Sequence, residues 1–336
     1  MYVVRILSTK PLRAAERARL ATVGEVVAWE GEGPLAKSFL FDAIANADAL
    51  LTSGTRVDET LLSAAPRLRV VSTSSVGYDH FDIPAMRKHR VLGAHTPGVL
   101  DETVADLAFA LMLATARRVV ELDAYVRQGH WQRGDDEVLY GVDVHHRTLG
   151  IVGMGRIGHA VARRARLGFG MNVLYNSRSR HESVEQELQA VYLDLPDLLA
   201  ASDFVVLLTP LTKETVGLMN RQMFAKMQPS AIFINISRGK TVDETALYEA
   251  LTSGGIRAAG LDVFEQEPVP HDHPLLKLPN VVALPHIGSA THATRDAMRQ
   301  LAIDNLIAVI EGRIQDAKIV PELQDLAKEL SQSCGQ

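Results

Sequence analysis

The chain has 336 residues, of which 47% are hydrophobic, 22% charged and 5% aromatic, a composition typical of globular proteins. Lys and Arg number 35 against 40 Asp and Glu, a formal charge of −5. No basic run is long enough to follow a phosphate backbone, so nucleic acid is not expected as a partner. At about twice the usual domain length, the chain is expected to form two domains.

The sequence also argues for a cytoplasmic protein. It contains no run of about 18 uninterrupted apolar residues that could cross a membrane. Residues 1–10 lack the flanks and cleavage site of a signal peptide. The single cysteine, Cys334, lies in a polar segment and has no second cysteine to pair with, in agreement with a reducing compartment.

In chain order, short apolar runs typical of strands alternate with amphipathic stretches typical of helices, which predicts an α/β protein with doubly wound parallel sheets. The first series of strands is predicted at 3–8, 25–29, 49–52, 68–73 and 91–95. A helix is predicted over 101–128, with Asp101 as its N-cap and Gly129 as its end, and is interpreted as the connection between domains. The second series of six strands is predicted at 148–152, 172–175, 204–208, 231–236, 258–263 and 281–284.

The last predicted helix spans 291–310 and no strand follows it. A terminal helix without a new strand is expected to pack on the first domain, so that the larger domain is inserted into the smaller one. The predicted division is 1–99 with 290–325 for the first domain, 100–289 for the second, and 326–336 for a polar tail after Pro321.

A glycine motif follows the first strand of the second series. Gly153, Gly155 and Gly158 stand in the pattern Gly-x-Gly-x-x-Gly, with Met154, Arg156 and Ile157 between them, at the start of a predicted helix. In this context the glycines permit a tight turn, close approach of a pyrophosphate and close helix–strand packing. The motif predicts dinucleotide binding, and the alternative is an ordinary tight turn between strand and helix.

The residues after the next strand indicate which dinucleotide is preferred. An NAD site usually has an acidic residue there for the ribose 2′-hydroxyl, whereas this chain has Asn176, Ser177 and Arg178. Ser177 could donate a hydrogen bond to a 2′-phosphate and Arg178 could pair with it. NADP(H) is therefore predicted over NAD(H), the alternative being that Arg178 and Arg180 are solvated loop cations.

Three polar residues follow successive strands of the second series. Arg238, Glu267 and His286 each come after the carboxyl end of a predicted strand, where open α/β sheets bind their ligands. Singly, Arg238 could be an ion-pair partner, Glu267 a solvated loop residue and His286 a histidine near the core.

These residues lie within longer runs that resemble the D-isomer-specific 2-hydroxyacid dehydrogenases. The resemblance is carried by the glycine motif and by residues 72–79, 95–106, 143–146, 235–239, 260–268 and 285–291, and covers nearly the whole chain. Within the family, the runs are most similar to bacterial glyoxylate/hydroxypyruvate reductases that also reduce 2-ketogluconate. The resemblance implies a Rossmann-type cofactor domain inserted into a flavodoxin-like substrate domain.

The resemblance also implies a reaction, the reduction of a small 2-oxo acid to a 2-hydroxy acid by NADPH. Such a reaction needs a proton donor beside the carbonyl and a cation that orients the acid. His286 would be the donor, Glu267 would favour its protonated form, and Arg238 would anchor the substrate. The backbone N–H groups of Val76 and Gly77 would bind the substrate carboxylate, between the domains.

Further contacts follow from the same resemblance. Ser53 and Gly54 would help to form the substrate pocket, and Asp262 would contact the nicotinamide carboxamide. The remaining cofactor contacts would be Thr103, Thr209, Pro210, Thr215, Ile236, Ser237, His286 and Gly288. Trp131 and Tyr140 lie in a loop-rich segment between the long helix and the glycine motif, which family members use for dimer contacts. A homodimer is therefore expected, the alternative being that the two aromatic side chains form a local core.

Other functions are less favoured. The fold also serves dinucleotide-sensing corepressors, which bind the cofactor without catalysis. Formate dehydrogenases have glutamine where this chain has Glu267, and phosphite dehydrogenases have lysine where it has Val76. The histidine pairs His145-His146 and His271/His273 lack a matching set of acids or cysteines, so no metal site is predicted.

Overall fold

The computed structural model describes residues 3–333, which form two units. The first unit contains the described residues up to Leu100 and those from Thr291 onward, and the second contains Asp101–Ala290. The predicted boundaries at 99/100 and 289/290 lie within one residue of this division. Cys334 lies outside the described residues.

The described chain contains twelve strands and thirteen α-helices. The strands are β1 Arg5–Ser8, β2 Glu25–Ala28, β3 Ala49–Thr52, β4 Val70–Thr73, β5 Leu92–Ala94, β6 Thr148–Val152, β7 Asn172–Asn176, β8 Val191–Tyr192, β9 Phe204–Leu207, β10 Ile232–Asn235, β11 Ala258–Leu261 and β12 Val281–Ala283. The helices are α1 Ala14–Ala21, α2 Lys37–Ile44, α3 Glu59–Ser63, α4 Ile83–Lys88, α5 Asp101–Ala116, α6 Val119–Arg127, α7 Arg156–Arg163, α8 Glu182–Leu188, α9 Leu195–Ala201, α10 Arg221–Phe224, α11 Glu244–Thr252, α12 His292–Ile310 and α13 Gln324–Ser333.

The first unit is built on a five-stranded parallel sheet with the order β2-β1-β3-β4-β5. This is the flavodoxin-like order, in which the chain direction across the sheet reverses at β1. Strands β3 and β4 are buried along their whole length, which explains their nearly uninterrupted apolar sequence. The carboxyl ends of β3, β4 and β5 lie side by side, so the loops that follow them share one edge of the sheet.

The second unit has a seven-stranded parallel sheet with the order β12-β11-β10-β9-β6-β7-β8. The chain runs outward from β6 to β8 and then returns to pair β9 with the other side of β6. The reversal at β6 creates a crevice between β6 and β9, the position at which sheets of this kind bind dinucleotides. The predicted fold class, α/β with two doubly wound parallel sheets, is therefore confirmed.

Three details of the prediction are wrong. The second sheet has seven strands rather than six, because the two-residue strand β8 is too short to show an apolar run. The predicted helix 101–128 is two helices, since Arg118 adopts a left-handed backbone (φ 54°) between α5 and α6. The predicted tail from 326 continues helix α13, and Leu326 and Ala327 are buried in the core of the first unit.

The return of the chain to the first unit is visible in its core. Ala302, Ile303 and Leu306 of α12 are fully buried in the same core as residues of β1, β3 and β4. At the start of α1, the buried carboxylate of Glu16 accepts hydrogen bonds from the guanidinium of Arg299 at 2.8 and 2.9 Å. Residues far apart in sequence thus share one hydrophobic core and one ion pair whose carboxylate is buried. Within residues 3–333, no helix is both long and apolar enough to cross a membrane.

We predict that Leu306→Ala lowers the free energy of unfolding by about 2–5 kcal/mol, because it leaves a cavity in the core of the first unit. The measurement is urea denaturation followed by circular dichroism. Arg295→Ala, on an exposed position of the same helix, is the control and is expected to change stability by no more than about 0.5 kcal/mol. Equal losses in both variants would contradict the assignment of α12 to this core.

Candidate active site

The glycine turn after β6 is built by close backbone approaches. Gly153 has a left-handed backbone (φ 107°), and a Cβ there would lie 2.9 Å from the carbonyl carbon of Leu208. A Cβ on Gly158 would lie 2.4 Å from the carbonyl oxygen of Gly153. A Cβ on Gly155 would meet no atom within 4 Å, so the backbone is open on that side. The turn is tight toward the protein and open toward a ligand.

The amino end of α7 faces this open side. Gly155 is the N-cap residue, and the first N–H groups of the helix follow at Arg156 and Ile157. The side chain of Arg156 donates from Nε to Asp101 Oδ2 at 3.1 Å, which directs it toward α5. Met154 is buried beneath the turn. The free N–H groups and the positive end of the helix dipole fit the pyrophosphate of a dinucleotide.

A second observation at the crevice fits a bound cofactor. Thr209 follows β9, and its Oγ1 is buried without a hydrogen-bond partner among the described residues. Buried hydroxyl groups normally have a partner, so this atom is suited to a ligand group. The neighbouring loop is closed by Thr215, whose Oγ1 accepts from the N–H of Thr212 at 2.7 Å and donates to the carbonyl of Pro210 at 2.6 Å.

The residues predicted to recognise a 2′-phosphate have different structural environments. Asn176 donates from Nδ2 to the carbonyl of Leu193 at 2.8 Å, and the hydroxyl of Ser177 donates to the carbonyl of Ser179. Arg180 forms an ion pair with Glu185 at 2.6 Å. Arg178 is exposed and has no ion pair within the described residues. Of the predicted group, Arg178 is therefore the side chain that stays available for an anionic ligand.

Arg238 lies in a loop that packs unusually close to its neighbour. The loop is held by hydrogen bonds from the hydroxyl and the N–H of Ser237 to Asn235 Oδ1, at 2.8 and 3.0 Å. A Cβ on Gly239 would lie 1.8 Å from the carbonyl carbon of Phe264, so only glycine permits this approach. The close packing brings Arg238 near Glu267. The sequence around Gly239 did not predict this proximity.

His286 and Glu267 form a direct pair. The Nδ1 atom of His286 lies 2.7 Å from Glu267 Oε2, and the other carboxylate oxygen of Glu267 accepts from the N–H of Phe264 at 3.0 Å. The side chain of His286 is 45% exposed and that of Glu267 is 37% exposed. Since Nδ1 is bound to the carboxylate, Nε2 is the ring nitrogen that remains for a substrate.

Electrostatics keep Glu267 ionised. Burial raises the pKa of Glu267, but the hydrogen bonds from His286 and Phe264 and the positive charges of His286 and Arg238 outweigh it, so that the pKa is below its ordinary value. The pair therefore stabilises the folded state at pH values above the ordinary glutamate pKa. This stabilisation is lost as the pH falls through the lowered pKa of Glu267 in the folded protein. At neutral pH the carboxylate faces the ring as an anion.

The segment that carries His286 is held by hydrogen bonds to the side chain of Asp262. His286 has a left-handed backbone (φ 54°), a conformation that few residues other than glycine adopt without support. Asp262 follows β11, is 1% exposed, and accepts hydrogen bonds from the N–H groups of Ile287 at 2.7 Å and Gly288 at 2.8 Å. Burial raises the pKa of Asp262, while these two hydrogen bonds oppose the rise.

Asp262 thus has a structural role that its sequence does not predict, because nothing in its own motif indicates hydrogen bonds to residues 25 and 26 positions later. Its predicted contact with the nicotinamide stays a prediction. Ile236 and Gly288 are buried beside the same strand ends, and Thr103 lies half-buried in the first turn of α5. All of these residues belong to the second unit.

The predicted carboxylate-binding residues lie in the first unit, at the edge formed by the ends of β3 and β4. Val76 and Gly77 are half-buried, and their backbone N–H groups have no hydrogen-bond partner among the described residues. Ser53 and Gly54 are exposed at the end of β3, where Gly54 has a left-handed backbone (φ 88°). The N–H of Ser74 donates to the carbonyl of Thr52 at 2.9 Å and keeps the two loops adjacent.

The histidine pairs considered as metal ligands lie elsewhere. His273 Nε2 is 3.2 Å from Glu244, and His145 Nε2 is 3.7 Å from Asp143. From residue 3 to residue 333, no group of three or more His, Cys, Asp or Glu side chains is arranged to hold a metal ion.

Comparisons with known proteins identify relatives of this chain. Residues 109–288 match the family model of the D-isomer specific 2-hydroxyacid dehydrogenase, NAD binding domain. The chain is 52% identical over 318 residues to glyoxylate/hydroxypyruvate reductase B of Serratia proteamaculans, covering 95% of this chain and 98% of that protein. It is 56% identical over 281 residues to the protein of the same name from Pectobacterium carotovorum, covering 84% and 88%.

A solved structure is similar over the whole fold. The NADPH-dependent glyoxylate/hydroxypyruvate reductase of Sinorhizobium meliloti, in complex with NADP and malonate, superimposes with a TM-score of 0.84 at 34% sequence identity. The match covers 96% of this chain and 98% of that one. With its two parallel sheets, its glycine turn and its paired His286 and Glu267, this chain belongs to the D-isomer specific 2-hydroxyacid dehydrogenase family.

Proposed function

We propose that the protein reduces small 2-oxo acids to D-2-hydroxy acids with NADPH, and that glyoxylate, hydroxypyruvate and 2-ketogluconate are substrates. The observation that carries the proposal is the 2.7 Å contact between His286 Nδ1 and Glu267 Oε2, close to Arg238. The similarity to glyoxylate/hydroxypyruvate reductases supports the choice of the first two substrates.

His286 is the proposed proton donor. Reduction of a ketone places negative charge on its oxygen, and a protonated imidazole within hydrogen-bond distance can neutralise that charge. Glu267 holds the ring through Nδ1, so that Nε2 is the ring nitrogen left to donate a proton to the substrate. NADPH, when bound at the glycine turn, supplies the hydride.

Arg238 and the first-unit loops are the proposed substrate anchors. The planar guanidinium of Arg238 can hold a carboxylate oxygen and the neighbouring carbonyl oxygen together, a geometry that lysine cannot reproduce. The unpartnered N–H groups of Val76 and Gly77 would bind the carboxylate, and Ser53 and Gly54 would limit the space for the rest of the substrate. Arg238, Val76 and Gly77 would recognise only the shared 2-oxo acid end, so these three do not distinguish glyoxylate from a longer 2-oxo acid.

NADPH is the proposed cofactor, rather than NADH. Arg178 is exposed and without an ion pair among the described residues, at the end of a strand where an acidic residue would favour NADH. Met154, Gly155, Arg156 and Ile157 would bind the pyrophosphate through the backbone. The loops that contain Thr209, Pro210, Thr215, Ile236 and Ser237 would line the remainder of the cofactor.

We predict that His286→Ala lowers kcat for glyoxylate reduction by about 10²–10⁴-fold, the usual cost of losing a positioned general acid. The Kd for NADPH, measured by fluorescence titration, should change little because the pyrophosphate site is intact. His271→Ala, which removes an exposed histidine outside the site, is the control and should behave as wild type.

The same assay tests the proposed function as a whole. Wild-type turnover is measured by NADPH oxidation with glyoxylate, hydroxypyruvate and 2-ketogluconate, and kcat/KM is compared among the three. Saturable NADPH binding without turnover of any of them would contradict the enzyme and favour a dinucleotide-sensing role. Near-normal turnover by His286→Ala would reject His286 as the proton donor.

We predict that Arg178→Ala raises KM for NADPH by about 10–100-fold, the loss expected for one charge-assisted hydrogen bond of about 1.5–3 kcal/mol. KM for NADH should stay within about twofold, since NADH lacks the 2′-phosphate. Arg180→Ala is a matched control, because it removes the same charge from the same loop but from a side chain already paired with Glu185. Equal effects on both cofactors would defeat the assignment.

We also propose that the protein is a homodimer that associates through the arm, residues 119–140. Helix α6 has no buried residue in the described chain, and Val119, Val120 and Val126 are more than half exposed. Trp131 is 66% exposed and Tyr140 is 58% exposed in the loop that follows. Exposed apolar and aromatic side chains concentrated in one segment are typical of an interface.

We predict that light scattering gives twice the chain mass for the wild type, and that Trp131→Glu with Tyr140→Glu gives the mass of a single chain at micromolar concentration. Two charges from each chain would be buried without partners in the dimer, which makes association unfavourable. Leu167→Glu, which charges an exposed apolar position outside the arm, is the control and should remain dimeric. A wild-type protein of single-chain mass would contradict the proposal.

A further inference from the structure

We propose that His95 is a positioning residue for substrate binding, because it turns the backbone N–H groups of the Val76–Gly77 loop outward for a carboxylate. The inference rests on the proposed function, in which these two N–H groups bind the substrate. His95 itself need not touch the substrate, and nothing in the glycine motif or in the His286 pair requires it.

The first step is the hydrogen bond from His95 to the loop. Its Nδ1 lies 2.9 Å from the carbonyl oxygen of Val76. A carbonyl oxygen only accepts, so Nδ1 must carry a proton and donate it. In a trans peptide the C=O and the following N–H point in opposite directions. Fixing the Val76 carbonyl toward His95 therefore turns the N–H of Gly77 away from His95.

The neighbouring peptide is fixed in the same way. The N–H of Thr96 donates to the carbonyl of Ser75 at 3.0 Å, which turns the N–H of Val76 away from residue 96. Two consecutive carbonyls are thus tied to two consecutive residues after β5. The two N–H groups that result, on Val76 and Gly77, both point away from that segment and have no partner among the described residues.

Adjacent N–H groups that face the same region form a concave site for an anion. Without these hydrogen bonds the two peptides could rotate, and their carbonyls rather than their N–H groups could face a ligand. A carbonyl facing a carboxylate would repel it. The bond from His95 excludes this arrangement for the Val76–Gly77 peptide, so the loop is oriented before a substrate arrives.

His95 is itself held rigidly, as a positioning residue must be. Its N–H donates to the carbonyl of Lys318 at 3.0 Å, and its carbonyl accepts from Asn305 Nδ2 at 2.9 Å. Asn305 is 1% exposed, and its Oδ1 accepts from the N–H of Lys318 at 2.8 Å. The imidazole ring packs edge-on against Tyr78, with the ring centroids 5.2 Å apart. The buried amide of Asn305 thus anchors the backbone from which the ring reaches the loop.

Two variants separate the donor of His95 from its ring. His95→Phe keeps a ring against Tyr78 but has no donor for the Val76 carbonyl. His95→Asn loses the ring but places an amide N–H close to the position of Nδ1. His89→Ala, which removes a histidine paired with the exposed Glu59 of the same unit, is the control.

For His95→Phe we expect KM for glyoxylate and the inhibition constant of oxalate, a carboxylate that undergoes no reduction, to rise in parallel by about tenfold or more. KM for NADPH should stay within about twofold and kcat within about threefold. For His95→Asn and His89→Ala we expect values within about threefold of wild type. Thermal melting checks that each variant is folded, and His95→Leu replaces His95→Phe if the latter does not fold.

Three results would overturn the inference. An active enzyme in which His95→Phe leaves both glyoxylate KM and oxalate inhibition unchanged would show that the bond does not matter. Equal losses in His95→Phe and His95→Asn would assign the effect to the ring. A wild-type protein without turnover of any 2-oxo acid would overturn the proposed function, and this inference with it.

Discussion

The hydrogen bond between His286 and Glu267 depends on two loops that leave different strands and must be held to within a few tenths of an ångström. Neither side chain is fully buried, so packing alone does not fix them. Hydrogen bonds to the surrounding backbone hold them in place. The Asp262 carboxylate accepts from two N–H groups of the His286 segment, and the N–H of Phe264 donates to the second carboxylate oxygen of Glu267. The His286–Glu267 pair is thus held by the strand ends that carry it, which is the arrangement that a preorganised site requires.

Glycines determine how closely these strand ends approach one another. Gly239 permits a contact between the Arg238 loop and Phe264 that any side chain would block, and Gly153 permits the turn beneath the dinucleotide crevice. In both places the missing side chain allows two backbones to meet. Close backbone packing therefore brings Arg238, Glu267 and His286 near one another. Their proximity lowers the pKa of Glu267, because the hydrogen bonds and positive charges of its neighbours outweigh the effect of burial.

In the first unit, hydrogen bonds also fix the backbone of a loop, but the groups they orient are uncharged N–H groups. The N–H groups of Val76 and Gly77 carry no formal charge, and their direction is set by where the carbonyls of Ser75 and Val76 are bound. A loop of this kind can recognise a carboxylate without a cation of its own. In each unit the residues proposed to bind ligands lie in loops that follow the carboxyl ends of parallel strands, where the backbone N–H groups are no longer paired within the sheet.

The amino-acid sequence by itself determined the order of strands and helices, because apolar runs buried on both faces, as in β3, β4 and β9, are readable one segment at a time. It also indicated the glycine turn and the three polar residues after the strands of the second sheet, whose types and positions are local signals. The two-residue strand β8, the break at Arg118 and the buried face of α13 were missed, since each depends on contacts with distant residues. Only the tertiary structure shows that Asp262 binds the backbone of the His286 segment, that Arg180 is paired with Glu185 while Arg178 is not, and that His95 is hydrogen-bonded to the Val76 carbonyl. These pairings join residues that have no fixed spacing in the chain, so no local sequence pattern signals them.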